Sequence, residues 1–227
     1  MSKGLFITGT GTTVGKTVIA RAVARAFTRR GLAVAAAKPV ESGAAFVNGG
    51  LVPRDAEALR AASRFEGGLE RLNLYRFEDA VSPHLAASRV GAVIEADLIV
   101  ELVRALEPGA DVVLVEGAGG LLVPLSDEVL YADVARAIGY PVAIVADNVL
   151  GAINHTLLTV EAARRRGLTV AGVILNRTPP EALDNEGAIA RHGDVRVLGL
   201  FPDASVGDDD ALAEIAEQTL DLDALFG

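Results

Sequence analysis

The sequence predicts an α/β fold, one doubly wound and mostly parallel sheet with helices on both faces. Three observations carry that reading. An apolar run, Leu5-Phe6-Ile7, passes through a glycine-rich stretch into a helical pattern near Thr17. Short apolar runs then alternate with amphipathic segments along the chain, with no internal repeat, low-complexity tract or linker. A second apolar run, Val112 to Val115, ends in an acid, Glu116, followed by Gly117-Ala118-Gly119-Gly120. The 227 residues are enough for one domain over the whole chain, 1–227, with a sizeable core.

The glycine-rich stretch comes first. Gly9-Thr10-Gly11-Thr12-Thr13-Val14-Gly15-Lys16-Thr17 lies between strand and helix, the setting of a phosphate-binding loop. Glycines let backbone N–H groups converge on phosphate oxygens, and the helix start adds partial positive charge. Lys16 can reach the β- and γ-phosphates and the Thr17 hydroxyl can ligate Mg²⁺. Five residues separate Gly9 from Gly15, one more than the strict pattern, so Thr10 stands where its first glycine would fall. A dinucleotide fingerprint would need an acid after the second strand. That strand, Ala33 to Ala37, ends in Lys38-Pro39 instead.

Val18 to Arg29 reads as a helix stopped by Gly31. Lys38-Pro39-Val40-Glu41-Ser42-Gly43 leaves the carboxyl end of the second strand, on the rim where open parallel sheets bind ligands. Residues 44–53 read as a mobile loop. Asp55 starts a helix to Ala62, where an acid also serves as cap or dipole partner. Leu69 to Phe77 is ambiguous. Ser82-Pro83 opens another helix, with serine as cap and His84 a structural residue. Ile94 to Leu106 is helical. Glu116 then stands at a strand end, where P-loop enzymes keep a carboxylate near Mg²⁺. Asp133 to Ile138 is a helix and Pro141 to Ala146 a strand. Gly151-Ala152-Ile153-Asn154-His155 opens a helix to Arg166, its first amides able to bind an anion. Thr169 to Leu175 is a strand ending in Asn176-Arg177, Pro180 to His192 is mostly helical, and Val195 to Leu200 is the last strand. Asp208-Asp209-Asp210 reads as a helix-start charge cluster, and residues 211–227 as a polar-faced helix.

Composition narrows the class. There is no cysteine, which excludes disulfides, thiolate metal sites and cysteine nucleophiles. No apolar run is long enough to cross a bilayer and the N-terminus lacks signal-peptide character, so a cytoplasmic protein with no membrane partner is expected. The net charge is −9, and the one basic run, Arg164-Arg165-Arg166, closes a helix where it complements the dipole. An acidic chain with 4% aromatic residues is not expected to bind nucleic acid.

Taken together and in this order, the motifs resemble the dethiobiotin synthetase family, a P-loop NTPase-like group, over nearly the whole chain. The set comprises the five-residue loop spacing, Lys38-Pro39-Val40 with Ser42-Gly43, Asp55, Ser82-Pro83-His84-Leu85-Ala86, Val115 to Gly120, and Gly151 to His155. The resemblance implies an ATP-dependent ligase of biotin synthesis. It would close the ureido ring of dethiobiotin from diaminopelargonic acid and CO₂, through a carbamate and a carbamic-phosphoric anhydride. Roles follow from it by position. Lys16 and the backbone of Thr13, Val14, Gly15, Thr17 and Val18 hold the ATP phosphates, and Gly117, Ala118 and Gly119 border the nucleotide. Thr17, Asp55 and Glu116 surround Mg²⁺, and Lys38 acts with Lys16 in catalysis. Asn176 and Arg177 lie at the adenine, and Pro202, Asp203 and Ala204 close over it. Ser42 contacts the diamine, and its carboxylate tail lies near Gly151, Ala152 and Asn154. The implied assembly is a homodimer with shared active sites. Gly11 and Thr13 stand where many members carry acids, and Ala152 where some carry cysteine. ATP-switched partition or positioning proteins share such a sheet, but their additional loop lysine would stand at Gly11. A cobyrinate-type amidating synthetase would need a glutaminase domain and its cysteine.

Overall fold

Strand β1 (Lys3–Gly9) is the axis of the sheet, and its alternating side chains explain the two layers around it. The computed structural model describes residues 2–179, 184–204 and 208–226. Helix α1 (Lys16–Arg29) follows the glycine-rich loop and leads to β2 (Val34–Ala37). Later come β7 (Val112–Glu116), β8 (Val142–Asp147), β9 (Val170–Thr178) and β10 (Val197–Pro202). These six strands are parallel, in the order β10-β9-β8-β1-β7-β2. The order reverses at β1, so the loop that leaves its carboxyl end opens at the switch point.

Leu5 and Ile7 face one layer, with Ile19, Val23 and Phe27 of α1. Helix α2 (Arg54–Ser63) adds Leu59 to that layer, and α8 (Asp209–Thr219) adds Leu212 and Ala216. Phe6 faces the other layer, with helices α4 (Ala96–Leu106), α5 (Tyr131–Ile138), α6 (Ala152–Arg165) and α7 (Asn185–Gly193). Each strand is buried on both faces, which is why its sequence is a continuous apolar run rather than an alternation. Val112 and Leu114 serve one layer, Val113 and Val115 the other. Truncating such a residue, Leu114→Ala for example, costs about 2–5 kcal/mol.

Between α1 and α4 the chain builds the rim of the site. Strand β3 (Val40–Ser42) pairs in parallel with β6 (Tyr75–Phe77), which resolves the ambiguous stretch 69–77 into a 3₁₀ turn, Leu69–Arg71, and a strand. Residues 44–53 are not an irregular loop. They form a hairpin of β4 (Ala45–Val47) and β5 (Gly50–Val52). Asn48 and Gly49 have φ of 49° and 84°, the left-handed pair that a two-residue hairpin turn requires. Asn-Gly between two short apolar runs was the signal. Ser82 does sit at the N-cap of α3 (Pro83–Arg89), but its side chain makes no capping bond.

The acidic cluster at the start of α8 is structural. Asp208 accepts from Ala211 N at 2.8 Å, Asp209 pairs with Arg21, and Asp210 takes two bonds of 2.7 Å from Arg25. The expected polar-faced helix is there but ends at Thr219; its other face packs Leu212, Ala213 and Ala216 into the core, and Leu225 of the turn Asp223–Phe226 joins them. Helix α7 begins at Asn185, and the earlier part of the helix expected there, 180–183, lies outside the described residues.

Candidate active site

The glycine-rich loop folds back over the start of α1. Gly15 is the N-cap with φ 88°, and a Cβ there would run into the Asn176 carboxamide. Lys16 is 6% exposed, and its Nζ donates to Gly11 O at 2.9 Å, across the mouth of the loop. Burial lowers its pKa, with Glu116 partly offsetting the loss.

Two side chains from β9 brace the loop from behind. Asn176 Nδ2 donates to Val14 O at 3.0 Å. Arg177 donates to both oxygens of Asp147, at 2.7 and 2.6 Å, and to Thr13 O at 2.6 Å. Thr13 and Arg177 are both non-glycine residues with positive φ, 63° and 51°. Such conformations persist where surrounding bonds over-determine them, and the Arg177–Thr13 bond links the pair. The Asp147 hydrogen bond, opposed by a smaller burial cost and followed by the charges of Asp147 and Asp203, raises the Arg177 pKa. Asp203 therefore lies in the field of Arg177. Pro202, in register with Thr178, brings the following residues Asp203 and Ala204 to the same end of the sheet.

Opposite the loop stands a charge cluster. Glu116, at the end of β7, is 1% exposed. Its Oε1 accepts from Thr17 Oγ1 at 2.8 Å and from Lys38 Nζ at 3.0 Å. Lys38 also pairs with Asp55, in the first turn of α2. Burial of Lys38 works against its charge, but Glu116, Asp55 and their hydrogen bonds outweigh it, so the Lys38 pKa is raised. The two lysines of the site are thus shifted in opposite directions. A cleft of about 400 Å³ is lined by Thr13, Gly15, Lys16, Thr17, Val18, Lys38, Ser42, Asp55, Glu116, Ala118, Gly119 and Arg177, with Thr12. Gly117 lies beneath its rim, against Phe6 and Tyr131.

The donor set suits a hard cation. Glu116 Oε2 is buried without a hydrogen-bond partner among the described residues, its Oε1 takes the Thr17 hydroxyl, and the Asp55 carboxylate is joined to it through Lys38. Among the described residues no cluster of three or more His, Asp or Glu could hold a metal unaided. A hydroxyl and two carboxylates are the partial set that Mg²⁺ takes together with phosphate oxygens and water.

Gly151, Ala152 and Asn154 do not line this cleft. Gly151, with φ 95°, caps α6, Ala152 is buried and Asn154 is exposed. Two contributors escaped the sequence reading. Asp147 holds Arg177, and its signal was available, since it ends β8 as Glu116 ends β7. Glu41 holds the start of α2, as developed below, and nothing in its sequence context marks it.

Comparison with known proteins then identifies the family. Residues 3–208 match the family model described as an AAA domain. The chain is 44% identical over 206 residues to the ATP-dependent dethiobiotin synthetase BioD of Aromatoleum aromaticum, covering 89% of this chain and 92% of that one. The enzyme of that name from Thermodesulfovibrio yellowstonii is 35% identical, covering 100% of this chain and 99% of the other. The chain belongs to the dethiobiotin synthetase family. Its fold reaches further, into P-loop NTPases with other names. The septum site-determining protein MinD of Pyrococcus horikoshii, complexed with Mg-ADP, has a TM-score of 0.56 at 18% identity, covering 100% of this chain and 93% of that one. A ParA family ATPase from Chlorobium tepidum has a TM-score of 0.57 at 14% identity, covering 98% and 92%. At such identities the likeness is one of fold. In this dethiobiotin synthetase family chain, Lys16, Thr17, Lys38, Asp55 and Glu116 line one cleft although they come from four separate segments.

Proposed function

We propose that this protein is the ATP-dependent ligase that closes the ureido ring of dethiobiotin in biotin synthesis, from diaminopelargonic acid and CO₂. Family membership supports the reaction, and one observation supports its location. Lys38 is held between Asp55 and Glu116, directly across the cleft from the phosphate loop. A transferable phosphoryl group seated on the loop would meet a cation on the side from which an anionic acceptor must come.

The chemistry balances as follows. One amine of the diamine adds to CO₂, losing a proton, to give a carbamate. A carbamate oxygen takes the γ-phosphoryl group of ATP and releases ADP. The second amine attacks the carbonyl carbon of the mixed anhydride, phosphate leaves, and the cyclic urea closes with loss of the amine proton. Lys16 and the loop amides hold the phosphates. Lys38 orients the carbamate oxygen and neutralises it against the incoming phosphate. Thr17, Asp55 and Glu116 would hold Mg²⁺, which supplies charge neutralisation at the phosphates. The carboxamide oxygen of Asn176 suits the amino group of adenine, and Asp203 and Ala204 border that position. Ser42 meets the diamine.

The working assembly is a homodimer in the cytoplasm. A depression of about 430 Å³ behind the phosphate loop joins Gly11 and Thr12 to Leu122 and Leu158. Leu122, Leu150 and Leu158 are 48%, 96% and 57% exposed, apolar surface that a second copy would cover. Covering it would bring the Gly151–Asn154 segment to the phosphate-loop end of a shared site. Phosphate release is expected to require both diaminopelargonic acid and bicarbonate, with bicarbonate carbon recovered in a cyclic urea. ATP hydrolysis at the full rate without the diamine, or no label in the product, would reject the ligase and favour an ATP-switched positioning protein.

A further inference from the structure

Helix α2 begins without a cap of its own. Its N-cap residue is Pro53, which has no side-chain acceptor for the first-turn amides. A residue twelve positions before Pro53 takes over. Glu41 of β3 accepts from Asp55 N at 3.1 Å on Oε1 and from Ala56 N at 3.0 Å on Oε2. Both carboxylate oxygens are thus engaged by adjacent amides, and the negative charge meets the positive end of the helix. Glu41 is 5% exposed, and its backbone is fixed by the pairing of β3 with β6, opposite Arg76.

The same residue that donates to Glu41 through its backbone carries the carboxylate that reaches Lys38. The Asp55 side chain is 44% exposed, and Lys38 is its protein partner in the cleft. With so little packing around it, Asp55 takes its orientation from the first turn of α2. We propose that Glu41 is a positioning residue for the Mg²⁺ site, locking that turn so that Asp55 is presented beside Glu116 and Thr17. This rests on the reading of Thr17, Asp55 and Glu116 as metal-holding residues. It adds that Ser42 and the residue controlling the cation are neighbours on one short strand. Diamine contact at Ser42 and metal placement at Asp55 then share one support.

A purely structural cap and a positioning residue differ in what they change. Loss of a cap lowers stability by about 1 kcal/mol and leaves the bound-metal equilibrium alone. Loss of a residue that orients a metal ligand weakens the metal roughly 10- to 100-fold. Glu41→Gln keeps the volume and one acceptor oxygen, and sets an NH₂ against the second amide. Mg²⁺ titrated calorimetrically into the ADP-loaded protein should bind roughly 10-fold or more weakly in Glu41→Gln. Affinity for ADP without Mg²⁺ should stay unchanged, because Lys16 and its loop are untouched. In an Asp55→Ala background, Glu41→Gln should weaken Mg²⁺ no further. Adding Pro53→Ser to Glu41→Gln, which supplies an acceptor at the N-cap, should restore part of the loss.

Equal Mg²⁺ affinity in wild type and Glu41→Gln, or full additivity with Asp55→Ala, overturns the inference while leaving the metal reading intact. A wild-type protein whose ADP complex takes up no Mg²⁺ overturns both. Hydrogen exchange in the wild type tests the geometry without any variant: the Asp55 and Ala56 amides should be protected, and exchange at the free-peptide rate would also overturn the inference.

Discussion

The two helix starts at the carboxyl end of the sheet, Lys16 of α1 and Ala152 of α6, look alike in sequence and differ in the folded chain. Both follow a glycine in the left-handed region, Gly15 and Gly151. At the first, bonds from distant elements converge. Asn176 and Arg177 hold the loop behind it, and Glu116 takes the Thr17 hydroxyl in front. At the second, Leu150 stands 96% exposed just before the helix and Leu158, within it, is 57% exposed. One helix start is finished by its own chain. The other ends in apolar surface, and a second copy would finish it. The contrast separates nucleotide chemistry, which one chain should support alone, from diamine chemistry, which should need two.

The largest expected effect falls on the finished half. Lys38→Ala removes the cation shared by Asp55 and Glu116. Turnover with the diamine and bicarbonate should fall by roughly two or more orders of magnitude, the scale of losing one electrostatic stabiliser. Mg-ATP should still bind, because Lys16 remains and a divalent cation would neutralise the two carboxylates that Lys38 no longer pairs. A variant with wild-type turnover would dismiss Lys38 from the chemistry.

The unfinished half should respond differently. Leu158→Asp places a charge on apolar surface twice in a symmetric pair, each copy forfeiting about 1.5–3 kcal/mol of side-chain burial. Light scattering should shift from a dimer to the 23.5 kDa species. ADP affinity should hold, and diamine-dependent phosphate release should drop at least about tenfold, the equivalent of 1.4 kcal/mol. Should the wild type itself scatter as 23.5 kDa, the second copy is not needed and the contrast fails.

The same contrast explains what could be read beforehand. The sheet was legible because each strand is buried on both faces and so writes itself as an apolar run, as Val112 to Val115 does. Lys16, Thr17 and Glu116 were legible because their spacing follows local geometry, strand end to loop to helix start. The hairpin at 45–52 was missed because residues 44–53 read as a mobile loop, although Asn48-Gly49 is a specific turn pair. Glu41 lay beyond reach for another reason. Its bonds to Asp55 and Ala56 depend on how that hairpin returns the chain, and a buried glutamate after Pro39-Val40 looks in sequence like any strand glutamate. Asp55 beside Lys38 likewise became visible only with tertiary structure, since they stand seventeen positions apart.

The smallest expected effect sharpens the finished half from within. Asn176 has two possible employments, the brace on Val14 O and the expected contact with adenine. A ligand without a base separates them. Asn176→Ala removes a buried hydrogen bond of 3.0 Å, whose net worth is about 1 kcal/mol. Inorganic tripolyphosphate, which sees the loop and no adenine pocket, should then bind about fivefold more weakly, the equivalent of that energy. ATP should lose at least as much, and the excess over tripolyphosphate measures the base contact. Asn176→Asp should be worse for both ligands, since a carboxylate cannot donate and would set its charge against the Val14 carbonyl. Calorimetric titration of both ligands checks this. Unchanged tripolyphosphate affinity in Asn176→Ala would show that Arg177, through its bond to Thr13 O, holds the loop by itself.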